Sequence, residues 1–106
     1  MSAIIVLSTC PDEATAERIA NALVGEQLAA CVNRIAGVLS IYRWKGEVHR
    51  DTEQLLIIKT TRDRFDALRE RIVALHPYEL PEVIAVDVAA GFDRYLAWIE
   101  RETHAD

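Results

Sequence analysis

The chain has 106 residues, enough for one domain around a single core and too few for two independently stable halves. Hydrophobic residues make up 51% and charged residues 27%, the mixture of a soluble globular protein, and a formal net charge of -5 leaves little to bind nucleic-acid phosphates. No stretch approaches the roughly 20 apolar residues of a membrane span, the start lacks the basic segment of a secretory signal, and Cys10 and Cys31 are too few for a disulfide framework, so the expected compartment is the cytoplasm.

In chain order, residues 3–8 form a short apolar, β-branched run that predicts a strand buried on both faces. Cys10-Pro11-Asp12-Glu13 predicts a helix start, with proline at the first helical position and acids at the positive end of the dipole. Ala16, Ile19, Ala20 and Leu23 continue at helical spacing, and Gly25 marks the stop. Residues 30–44 have β character, interrupted at Ala36-Gly37, and after Lys45-Gly46 the chain returns through Val48 to Leu55-Leu56-Ile57-Ile58 as a hairpin. Thr60 and Asp63 read as a capping pair before a second helix striped with Phe65, Leu68, Ile72 and Leu75. Pro77 and Pro81 bracket a rigid connector, residues 83–88 give a last strand, and Phe92, Tyr95, Leu96 and Ile99 mark a terminal helix. The order β-α-β-β-α-β plus a helix is the α+β, ferredoxin-like pattern of a single domain over residues 1–106, with both long helices expected on one face of an antiparallel sheet.

The hairpin is too long for such a body. At about 3.3 Å per residue its first strand spans roughly 50 Å, whereas a compact chain of this size is only about 35 Å across. The arm must bend, at Gly37, or protrude, and it carries Leu39, Ile41, Tyr42 and Trp44 along an edge that another chain would cover. Tyr42 and Trp44 are therefore expected in contacts between subunits; the alternative is that both curl back onto their own sheet.

Candidate chemistry is sparse. The nucleotide-loop, zincin, serine-hydrolase and C-x-x-C signatures are all missing, and no nucleophile and base sit as a pair, so the chain is not expected to be an enzyme. The densest polar cluster is His76-Pro77-Tyr78-Glu79-Leu80-Pro81-Glu82, held on a proline-stiffened backbone. Antiparallel pairing of first and last strands brings Glu82 toward Cys10, so that His76, Cys10 and Glu82 form a candidate metal set whose nitrogen and sulfur donors suit copper or zinc. The alternative is a rigid connector with a solvated histidine and a buried cysteine. Trp44, Lys59, Tyr78 and Glu79 are candidates to line a ligand cleft, although a pair with a nearby Glu is the role expected first of Lys59. His49 and His104 read as solvated, and Cys31, within Ala29-Ala30-Cys31-Val32, as a core residue.

Four segments, Ala29-Ala30-Cys31-Val32-Asn33, Ser40-Ile41-Tyr42-Arg43-Trp44-Lys45-Gly46, Leu56-Ile57-Ile58-Lys59-Thr60 and His76-Pro77-Tyr78-Glu79-Leu80-Pro81-Glu82, resemble the CutA family in order and spacing. The resemblance runs from residue 5 to about residue 98. It implies a homotrimer of ferredoxin-like protomers, similar to the nitrogen-regulatory PII trimers that bind small effectors between subunits. It also implies a role in divalent-cation tolerance, with copper or another divalent metal as ligand and His76 matching the histidine of the family's His-Pro-Tyr motif. This sequence has Ser8 where the copper-associated member has a cysteine, and Leu75 where that member has a second histidine; Cys10 lies two residues beyond the expected thiol.

Overall fold

The computed structural model describes residues 2–104. The elements are β1 (Ala3–Cys10), α1 (Glu13–Gly25), β2 (Cys31–Trp44), β3 (Glu47–Thr61), a 3-10 turn (Arg62–Arg64), α2 (Phe65–Leu75), β4 (Ile84–Asp87) and α3 (Asp93–Thr103). The four strands form one sheet in the order β2-β3-β1-β4, with every neighbouring pair antiparallel. This is the ferredoxin-like arrangement expected from the element order.

Alternation along β1 separates the two faces of the sheet. Ile4, Val6, Ser8 and Cys10 are buried, whereas Ile5, Leu7 and Thr9 are only half-buried. The inner residues pack with Leu56 and Ile58 of β3 beneath Ala16, Ile19 and Leu23 of α1 and Leu68 and Ile72 of α2. Both long helices thus lie on one face. On the outer face, α3 sets Ile99 against Ala3 and Ala30, with Leu96 and Trp98 beside them, and covers one end only. The two-sided burial expected of the first strand is therefore one-sided within a single chain.

The hairpin bends where the glycine permits. The β2–β3 register shifts between Ile35 and Val38, and Gly37 takes a φ of 75°, the left-handed conformation a bulge uses. Lys45 and Gly46 close the hairpin with φ of 51° and 82°, the paired positive values of a two-residue turn. Beyond the bulge the arm projects past the end of β1, which pairs no further than Cys10 with Gln54. The molecule is accordingly elongated, 44 × 25 × 22 Å.

Helix starts differ from the sequence expectation. Asp12 caps α1, accepting a 2.8 Å hydrogen bond from the Thr15 amide, and Pro11 stands outside the helix because β1 persists through Cys10. Thr60 caps nothing: it faces the core from β3 and donates its hydroxyl to the Leu28 carbonyl at 2.7 Å. Its neighbour Thr61 donates to Asp63 at 2.7 Å, at the head of the 3-10 turn that precedes α2. The last strand is shorter than residues 83–88, ending at Asp87, although the Val88 amide still reaches the Ala3 carbonyl at 3.1 Å.

Candidate functional site

The connector between α2 and β4 folds back along the hairpin arm and leaves a groove of about 700 Å³ between them. Tyr42 and Trp44 stand on the arm side, Tyr78, Glu79 and Glu82 on the connector side, and Glu53 of β3 at the floor. The sequence-derived candidates Trp44, Tyr78, Glu79 and Glu82 therefore meet in one place. Lys59 does not join them within a subunit: it pairs with Ile5 and Cys31 at the far end of β3, its ammonium 5.9 Å above the Tyr95 ring. Among the described residues it has no carboxylate within ion-pair distance, contrary to the pairing expected for it.

His76 ends α2, its amide reaching the Ile72 carbonyl at 2.9 Å and its ring almost fully buried. The ring Nε2 lies 2.7 Å from the Thr9 carbonyl oxygen, which only accepts, so this nitrogen carries the proton. The other nitrogen, Nδ1, accepts from the Tyr78 amide at 3.2 Å. A neutral imidazole has one donor and one acceptor, and both are used. The ring also lies 4.6 Å from that of Tyr78. At the far end of the Tyr78 side chain the phenol donates to Glu53 Oε2 at 2.6 Å, and burial, then this carboxylate, raise its pKa well above that of a free phenol.

Glu53 was not singled out from the sequence. An acid in Thr52-Glu53-Gln54 looks like an exposed hairpin residue, and only the fold-back of the connector buries it to 7% exposure. Nearby, the Tyr42 hydroxyl donates to Asp51, a bond that raises its pKa, and its ring stacks on His49 with centroids 5.4 Å apart. Lys45 lies 5.6 Å above the Trp44 ring and 3.9 Å from Glu79.

Cys10 shares the inner side of β1 with Ser8, as a persisting strand requires, but that side is the core. The thiol is fully buried, and burial, then Glu53, push its pKa up to about 11, which disfavours the thiolate a metal needs. Ser8 is also fully buried, its hydroxyl without a hydrogen-bond partner among the described residues. Cys31 is half-buried at the edge of the outer face rather than in the core. Copper and zinc take several donors at about 2.0–2.3 Å. His76 has both nitrogens engaged, Cys10 is a buried thiol, Glu82 is exposed, and among the described residues no three metal-binding side chains converge. The three do not fit a metal centre within one subunit.

His104 is exposed, as expected, and its ring is also tied down. Its Nε2 lies 2.9 Å from Asp63 Oδ2 and its Nδ1 2.9 Å from the Glu100 carbonyl oxygen, linking the end of α3 to the turn before α2.

Fold and groove together define a ferredoxin-like α+β protein with a projecting hairpin and a polar-aromatic groove beneath it. The model of the CutA1 divalent ion tolerance protein family matches residues 4–102, and the chain belongs to that family. It is 52% identical over 99 residues to the divalent-cation tolerance protein CutA of Thermus thermophilus, covering 93% of this chain and 96% of that protein. The chloroplastic protein CutA of Arabidopsis thaliana is 44% identical over 100 residues, which are 94% of this chain and 55% of that longer protein. The crystal structure of CutA from Xylella fastidiosa superposes with a TM-score of 0.95 at 45% identity, covering 98% of this chain and all of that one.

Proposed function

We propose that the protein acts in divalent-cation tolerance as a non-catalytic homotrimer that binds copper or a similar divalent ion in the cytoplasm. The observation that carries the assembly is the uncovered apolar part of the outer sheet face. Leu7, Leu55 and Ile57 are half-buried there, and Ile84 and Val86 are each 54% exposed along the β4 edge. A contiguous apolar face of this kind is what a partner covers. The arm, with Ile41 at 63% and Val48 at 64% exposure, is free to reach a neighbouring copy, and Tyr42 and Trp44 are the contacts assigned to it. Because the described residues of one subunit do not gather enough donors, the ion is assigned to donors from more than one copy, with the exposed carboxylates of Glu79 and Glu82 at the groove as this chain's candidates. Cys10 and Cys31 are free thiols, the state in which a reducing cytoplasm keeps cysteines.

A second reading is favoured by the groove itself. Its volume suits a small metabolite, and Arg43 at its wall supplies a cation for an anionic group, as in a PII-like sensor. Native mass spectrometry with Cu(II), Zn(II) and a nucleotide panel separates the readings. The first expects three chains with metal bound per trimer; the second expects a nucleotide adduct and no metal. A monomer with no adduct defeats both.

A further inference from the structure

The misfit between His76 and a metal centre has a positive counterpart. We infer that His76 is a positioning residue of the groove, a neutral ring that clamps the connector between β1 and α2 and so sets the Tyr78 wall, rather than a metal ligand. The inference rests on the reading of the groove as the ligand site. It is carried by four contacts that form one chain of connections. The Thr9 carbonyl takes the Nε2 proton at 2.7 Å, Nδ1 takes the Tyr78 amide at 3.2 Å, the two rings lie 4.6 Å apart, and the Tyr78 phenol reaches Glu53 at 2.6 Å.

The contacts run from β1 through the ring and the connector to β3. Thr9 stands on β1 two residues beyond the last pairing with β4 and at the wall of the groove, and its carbonyl is the sheet's anchor for the ring. The amide of Tyr78 is the second after the histidine, and its bond to Nδ1 closes a short side-chain-to-backbone turn of the kind Asx residues make. That turn starts the reversal that carries the connector back over the arm. Coordination through Nδ1 would orphan the Tyr78 amide, and coordination through Nε2 would orphan the Thr9 carbonyl and drive the proton to the other nitrogen, against the same amide. Either change loosens the wall that Glu53 and Tyr78 make together.

The test uses the full chain with the imidazoles labelled with nitrogen-15, alone and with Zn(II), a diamagnetic probe. The expected result is an Nε2–H tautomer for His76 whose ring signals do not move on adding metal. Movement of those signals into the range of a coordinated nitrogen overturns the inference. Variants supply a second reading: His76→Gln keeps a donor for Thr9 and His76→Asn keeps an acceptor for the Tyr78 amide, while neither amide is a good copper or zinc ligand. Both are expected to keep Zn(II) affinity within about threefold of the parent and to retain the near-ultraviolet dichroism of Tyr78, which His76→Ala loses. Folded Gln and Asn variants that lose Zn(II) binding as fully as the Ala variant contradict it. A parent that binds no Zn(II) defeats the metal reading above, and the ring tautomer with the Tyr78 signal then still decides this one.

Discussion

The two faces of the sheet are built from the same strands and differ in what covers them. On the inner face Val6, Leu56 and Ile58 are fully buried by α1 and α2 of the same chain. On the outer face Leu7, Leu55 and Ile57, one residue along each strand, have α3 at one end and, among the described residues, nothing of their own chain over the rest. The residue types are alike, so hydrophobicity alone does not say which face is core. The inner face folds the chain, and the outer face is the one proposed above for assembly.

Substitutions one residue apart break the comparison most sharply. Ile58→Ala empties a core site and is expected to cost about 2–5 kcal/mol of stability, seen as an early midpoint in urea unfolding. Ile57→Asp places a charge on the outer face; a chain that remains folded by circular dichroism but sediments as a monomer is the expected result. If Ile57→Asp unfolds the chain as Ile58→Ala does, the two faces do not divide the work in this way. The cysteines repeat the contrast on a smaller scale. Cys10→Ser would bury a hydroxyl in the core and is expected to cost about 1–3 kcal/mol, whereas Cys31→Ser at the half-exposed edge is expected to change the midpoint little. Equal midpoints for the two variants would show that Cys10 is less enclosed than its burial indicates.

Much of the fold was legible in the sequence, though not which face of the sheet is core. The β-α-β-β-α-β order, the bulge at Gly37 and the turn at Lys45-Gly46 follow from local patterns that tertiary contacts did not override. Thr60 was misread because capping and core-facing threonines look alike until the register with β1 is known. Glu53 and His104 were missed for a common reason: their partners, Tyr78 and Asp63, are 25 and 41 residues distant in sequence. For the metal set, topology brought Cys10 and His76 to the same end of β1 as expected, but burial of the thiol and the use of both ring nitrogens were invisible in the residue types.

The smallest effect concerns the two histidines. His76 faces one acceptor and one donor and is neutral; His104 faces acceptors at both nitrogens, Asp63 from the turn before α2 and Glu100 from α3, and is best satisfied as imidazolium. The bonds to the Glu100 carbonyl and to Asp63 raise its pKa, and those from Thr61 and His104 lower that of Asp63. A raised histidine pKa gives stability that is fully present below the unfolded value of about 6.5 and is lost as pH rises through the higher folded value. For Asp63 the sign is reversed: its contribution is present above the unfolded value of about 3.9 and lost as pH falls through the lower folded one. The parent should therefore exceed His104→Gln in melting temperature between about pH 4 and 6.5 and lose that margin in alkali. A margin independent of pH in calorimetry would mean that His104 is held by packing alone.

The central claim, that the outer face and the arm are completed by other copies, is tested most directly by sedimentation equilibrium of the parent chain at micromolar concentration. A single species of three chain masses is the expected result, and a stable monomer across that range would contradict it.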